Sequence, residues 1–300
     1  MIEHPLASID AWTRFFEAST FPILARSKAE LVKLVEKGED ATVLDLAAVA
    51  HHDALLALKI LRYLQRHRSA QQLTDVTTVE RVILMVGVDP LLRAFVECDT
   101  VEHMLQGHPQ GLKQVLRVLQ RAFHAAISAE LWAGHRHDID GGEVGTAALL
   151  RDIAEVLVGC FAPKLLLRIR AMQQLDKRLR SQLAQKTVLG FPLLELQLAL
   201  IEAWHLPPIL KMLMDEGHAE HPRVRTVTTA VAYARHSANG WNDEALPDDY
   251  QAVADLAGMG YDKAQHLCHE ASRKAQISWD WFGDDPAEPP PPIQISAHPS

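Results

Sequence analysis

Cysteine is scarce. The 300 residues contain three, Cys98, Cys160 and Cys268, widely separated and never in CxxC spacing. That excludes a disulfide framework and a cysteine-rich zinc site, and it fits a reducing compartment. An uninterrupted apolar run long enough to cross a bilayer is also missing. The most apolar stretch, 147–167, carries Arg151, Asp152, Glu155, Pro163 and Lys164, which are costly in hydrocarbon, so it reads as buried helices. Met1-Ile2-Glu3-His4-Pro5 lacks the basic segment followed by an apolar one that marks a secretory signal, and a cytoplasmic location is expected. No glycine-rich phosphate loop and no GxSxG elbow occurs, which removes the commonest readable enzyme classes. Positive charge is not in excess either. The 38 acidic and 30 basic side chains give a formal charge of −8, so nucleic acid and anionic membrane are not expected partners.

What is present is a globular composition, 48% apolar and 23% charged, able to close a core without staples. Three hundred residues exceed what one compact core usually holds, which points to two packed lobes. The periodicity is helical. Leu31, Leu34 and Val35 follow Ser27 and Glu30, a serine cap with a glutamate three residues on, and Gly38 stops the run. Thr42 with Asp45, and Thr77 with Glu80 ahead of Val79, Val82, Ile83 and Val86, repeat this punctuation, and Gly87 ends the second run. Leu55, Leu58, Ile60, Leu61 and Leu64 form one face of a helix over 53–67, leaving Lys59, Arg62 and Arg66 for water. A long helix is expected over 109–133, a loop over 134–145, and helices over 146–158, 163–186, 207–214, 223–238, 248–257 and 262–275. No alternating β pattern with hairpin turns is found. The fold class is therefore all-α. Residues 284–300, with Pro286, four prolines at 289–292 and Pro299, read as a disordered Pro-rich tail.

Several short words in this sequence, in this order, resemble the HDOD domain: Phe21-Pro22-Ile23-Leu24; Asp53-Ala54-Leu55; Leu58-Lys59-Ile60-Leu61-Arg62; Val79-Glu80-Arg81-Val82-Ile83; Val86-Gly87. Ala148-Leu149-Leu150-Arg151-Asp152-Ile153 is similar to the ligand-bearing stretch of the related HD phosphohydrolases. Trp204-His205-Leu206-Pro207 and Ala234-Arg235-His236 through Gly240-Trp241 fall where the family has similar words. The resemblance implies an N-terminal helical lobe over 1–105, an HD-like helical bundle over 106–245, and a helical extension over 246–283.

HD phosphohydrolases hold a water-activating metal with one histidine, an adjacent histidine and aspartate, and a distal aspartate. By spacing, those roles fall here at Arg121, at Arg151 and Asp152, and at Val231. A guanidinium repels a divalent ion and valine has no donor atom, so only Asp152 survives as a ligand. Ala154 replaces the family's glycine, and Gly217-His218 stands for its second histidine pair. What the resemblance implies is a non-catalytic bacterial signalling module with a degenerate metal site, no resident cofactor, and a protein partner as its output. Two alternatives stay open. Arg121, Arg151 and His218 around Asp152 could bind a phosphorylated ligand such as a nucleotide without cleaving it. A divergent phosphohydrolase could instead hold metal through Asp152, His218 and His124. The bland reading of Asp152 is a buried carboxylate paired with an arginine.

Other candidates read as structural. His51-His52-Asp53 stands at a helix start, where Asp53 serves as a cap. His135, His137 and Asp138 lie in a glycine-bounded loop expected to be solvated. His266 with His269, and His218 with His221, are pairs lacking the third ligand that zinc requires. Lys164, Arg168, Arg170, Lys177, Arg178, Arg180 and Lys186 give one expected helix a basic, solvated face.

Overall fold

A computed structural model of the chain describes residues 1–67, 76–176 and 178–283. The Pro-rich segment 284–300 lies outside the described residues. The first half contains α1 (Ile9–Ala18), α2 (Ala25–Lys37), α3 (Val43–His52), α4 (Ala54–His67), α5 (Val79–Val86), α6 (Val88–Phe95) and α7 (Val101–Met104). The second continues with α8 (Pro109–Ala133), α9 (Gly141–Leu150), α10 (Ile153–Phe161), α11 (Pro163–Leu175), α12 (Ser181–Leu189), α13 (Leu193–Ala203), α14 (Pro208–Met214) and α15 (Pro222–Ser237). A final pair, α16 (Leu246–Ala257) and α17 (Tyr261–Gln276), precedes a 3₁₀ turn, Trp279–Phe282. The fold is all-α, and no strand occurs among the described residues. The nearest approach to one is an isolated parallel bridge between Ile23 and Thr100.

The helix starts show which capping signals won. Thr42 and Asp45 form the reciprocal capping box expected of α3. Ser27 does not cap α2, which begins earlier, at Ala25. Its terminal N–H groups are satisfied from a distance instead: Leu24 donates to Asp53 Oδ2 at 2.7 Å and Ala25 to Glu102 Oε2 at 2.8 Å. Acceptors from other helices make a local serine cap unnecessary, and Ser27 is buried one turn in. For α5 the cap is Thr78 rather than Thr77.

Helix α8 is the axis of the second half. It is buried on most of its circumference, through residues such as Val118, Leu119, Phe123, Ala126, Ala129 and Trp132, which is the pattern of a central helix. Its alanines let α9, α10, α15 and α17 pack closely around it. Gly159 of α10 shows how tight this is: a Cβ there would stand 2.5 Å from Val115 Cγ2 and 2.7 Å from Leu166 Cδ2.

Two expectations are corrected. The segment 134–145 is not loop throughout, because Asp140 accepts from the Glu143 N–H at 3.2 Å and starts α9 at Gly141. The expected helix over 163–186 is two helices. Asp176 Oδ1 takes the Arg178 N–H at 2.9 Å, a local turn that competes with the helical ladder. One buried apolar cluster runs from Trp12 to Phe282. Helix α1 contributes Trp12 and Phe16, one turn apart, and packs on α13 of the second half. Among the described residues no helix is long and apolar enough to cross a membrane.

Candidate functional site

The α9–α10 junction brings Arg121, Arg151, Asp152 and Val231 to one region. Arg121, projecting from α8, is buried to 11% side-chain exposure, with its guanidinium 3.5 Å from Glu155 and 3.9 Å from Asp152. Glu155 also accepts from Arg170 Nη2 at 3.2 Å. Burial lowers the Arg170 pKa, aided by the neighbouring Arg121 charge. Glu155 thus neutralises two arginines that would otherwise be expensive to bury.

Asp152 precedes α10 as its N-terminal residue, yet its side chain does not cap that helix. The buried Gln197 of α13 does so instead: its Oε1 accepts from Ala154 N at 2.9 Å, and its Nε2 donates to Leu150 O at 2.9 Å. Sequence reasoning missed Gln197, because nothing local in 193–203 says that its amide will reach a helix start on another element. With capping done by Gln197, the Asp152 carboxylate faces a cavity of about 350 Å³ shared with Arg151, Glu216, Thr228, Val231 and Arg235.

Within this cavity the arginines do not form a common clamp. Arg151 Nη2 donates to Glu216 Oε1 at 2.9 Å, while Arg121 serves Glu155 and Asp152. Three carboxylates, Asp152, Glu216 and Asp249, line the wall against two guanidiniums, Arg151 and Arg235. His218 is not gathered in. Its side chain is 59% exposed in the 3₁₀ turn 216–218, with Nε2 4.0 Å from Asp215. His124 is elsewhere too, buried with Nε2 2.9 Å from Ser272 Oγ and its ring against Tyr233. Burial pulls its pKa down to about 4, which keeps it neutral.

A divalent ion does not fit these residues. Arg121 and Arg151 are cations, Val231 has no donor atom, and Asp152 already lies beside Arg121. Among the described residues no three His, Cys, Asp or Glu side chains are grouped to hold a metal.

The family model of the HDOD domain matches residues 21–220. The chain belongs to the HDOD family. This HDOD chain shares its fold with the MmoQ response regulator of Methylococcus capsulatus str. Bath, at a TM-score of 0.62 and 19% identity over 84% of this chain and 98% of that one. It is similar in the same way to a virulence factor of Campylobacter jejuni subsp. jejuni, with a TM-score of 0.63 and 18% identity over 89% and 100% of the two chains. Comparison with curated proteins returns no match.

The remaining candidates resolve into structural roles. Asp53 caps α4, its Oδ1 accepting from Leu55 and Leu56 N–H at 2.9 and 3.2 Å while Oδ2 holds Leu24. Burial pushes its pKa up, against those three N–H donors. His51 carries more than the cap reading of its tripeptide implied. It joins two helices, with Nε2 bonded to Glu80 of α5 and Nδ1 3.5 Å from Glu130 of α8. His52 is stacked between Phe123 and Trp281, at ring separations of 4.7 and 4.3 Å. Asp138 is held by Arg136 through two bonds of 2.8 Å. His269 is buried against the Tyr250 hydroxyl at 3.0 Å, whereas His266 is exposed, so these two do not share an environment. His221 caps α15. The expected basic face is divided by the break after α11, and Arg170 is half-buried on Glu155. Lys177 lies outside the described residues.

Proposed function

We propose that this HDOD chain is a non-catalytic regulatory module of a bacterial, cytoplasmic signalling pathway, acting through contact with a protein partner. One observation carries the reading: the guanidinium of Arg121, which by spacing falls at the position of the metal-binding histidine in the phosphohydrolase resemblance, lies 3.9 Å from Asp152, the one ligand-type residue that the resemblance leaves at those positions. A positive charge held over that carboxylate opposes a divalent cation at short range, where the local dielectric is low. Support also comes from Val231, whose side chain on the cavity wall offers nothing to a metal. The phosphate clamp considered for Arg121 and Arg151 draws no support from the geometry, since each guanidinium already has a carboxylate. The fold-level likeness to a protein named as a response regulator is compatible with a signalling role and adds no residue-level argument.

Metal analysis of the purified chain, grown with iron, manganese and zinc, tests the proposal. Metal below about a tenth of an equivalent is the expected outcome for a site lacking three ligands. Stoichiometric metal that disappears in Asp152→Ala, accompanied by phosphomonoesterase or phosphodiesterase turnover, would overturn it.

A further inference from the structure

A second cavity, of about 280 Å³, lies away from the α9–α10 junction, between α1, α4 and the end of α13. Its walls include Glu17, Arg62, Arg66, Trp204 and His205. Arg62 is 8% exposed. Its guanidinium lies between two rings, 4.7 Å from the centroid of Phe21 and 4.4 Å from that of Trp204. The rings favour the cation and fix its plane, but they accept none of its five N–H donors. Among the described residues no carboxylate lies within 4.0 Å of either Arg62 or Arg66, and no hydrogen bond from either guanidinium is made. The Arg62 donors open onto the cavity, so whatever fills it, water or ligand, must accept from them.

His205 is the second and independent observation. It has φ 53°, the one non-glycine residue with positive φ in the described chain. It ends α13 in a Schellman arrangement, with His205 N bonded to Glu202 O and Leu206 N to Ile201 O, both at 3.0 Å. Glycine takes that position without strain. A histidine there costs backbone energy and places an imidazole-bearing residue on the wall of the cavity that Arg62 lines.

We propose that this cavity binds a phosphate group, carried by a small molecule or free, with Arg62 as its fixed bidentate donor, Arg66 adding a second positive charge and His205 a hydrogen-bonding ring. Two guanidiniums stand against the single carboxylate of Glu17, and a planar guanidinium whose orientation is set by flanking rings matches a phosphate edge. The volume sits at the low end for ligand cavities and suits a compact phosphate compound better than a dinucleotide. The C-terminal ends of α4 and α13 carry partial negative charge, so the guanidiniums are required for any anion to stay. Because the cavity joins α1 and α4 of the first half to α13 of the second, occupancy would brace the two halves against each other.

Isothermal titration calorimetry of the full chain at low salt tests this with inorganic phosphate, with glycerol 2-phosphate and with acetate. Saturable phosphate or phosphomonoester binding is expected, with acetate at least about tenfold weaker; the tighter of the first two tells free anion from ester. Arg62→Met fills the space between the rings without charge and should weaken binding by about tenfold or more, while Arg62→Lys should restore part of it. Should Arg62→Met lose its helical circular dichroism, Arg66→Gln, on the exposed side, still decides, with an expected weakening of about threefold. The proposal is overturned by absence of saturable phosphate binding, by acetate binding as tightly as phosphate, or by binding that folded Arg62→Met and Arg66→Gln leave unchanged.

Discussion

His51 ties α5 to α8 through two carboxylates, and the strength of that tie should be readable as pH-dependent stability. Burial alone would lower its pKa, but the carboxylates of Glu130 and Glu80 beside the ring raise it to about 10 from an ordinary 6.5. A histidine with a raised folded pKa binds more protons folded than unfolded. Its contribution is therefore complete below about pH 6.5 and disappears as the pH climbs towards about 10. At 1.36 kcal/mol per pH unit the interval sets a ceiling of about 5 kcal/mol. The side chain is 24% exposed and its carboxylate partners are 34% and 26% exposed, so screening reduces the expected figure to about 2 kcal/mol. His51→Gln keeps the size and polarity and removes the titration. Urea unfolding of both proteins between pH 6 and pH 10 gives the difference directly. The variant should be less stable by about 2 kcal/mol at pH 6 and equal to the parent near pH 10. A difference that is flat across this range, or that widens with pH, refutes the ion-pair account and leaves only a packing role. Glu80 acts on the acid side: the His51 bond lowers its pKa, so its share of the stability is lost as the pH falls below the ordinary carboxylate range.

Three further substitutions test other parts of the structure. Gln197→Leu removes the acceptor for Ala154 N and the donor to Leu150 O, and two buried backbone groups left unpaired should cost roughly 3 kcal/mol in the urea midpoint. An unchanged midpoint would show that the amide is dispensable. Asp53→Ala frees Leu24, Leu55 and Leu56 N–H at once, and thermal unfolding should register a loss of roughly 3 kcal/mol, well beyond the ~1 kcal/mol of an ordinary helix cap. A loss no larger than an ordinary cap would mean that Leu24 finds another acceptor. His205→Gly should relieve the positive φ and raise stability by about 1 kcal/mol in guanidinium titrations; a decrease would show that the imidazole is held by contacts worth more than the strain.

Much of the fold is legible from residue order. The capping pair Thr42 and Asp45, the proline at the start of α8 and the glycine after α5 act within one turn of themselves, so local chemistry settles them. Where reading failed, the deciding partner was distant. Ser27 lost its cap role to Asp53 and Glu102, and the role of Gln197 depends on α13 lying against the start of α10. The candidate site divides along the same line. That Arg121, Arg151 and Val231 stand where the resemblance expects metal ligands, with Asp152 retained, is a reading of spacing and family resemblance. That Arg121 faces Glu155 as well as Asp152, that Arg151 turns to Glu216, and that His218 stays in solvent follows only from packing.

Helical periodicity, caps and the ordered family words were enough to establish an all-α HDOD chain, because these depend on residue type and spacing over a few turns. Which charged side chains meet, and which remain without a partner, was decided by tertiary structure alone. Arg62 reads as an ordinary solvated arginine on an amphipathic helix until Phe21 and Trp204, 41 positions before and 142 after it, close over its two faces. Contacts across such separations depend on the folded backbone path, for which no local pattern carries the information.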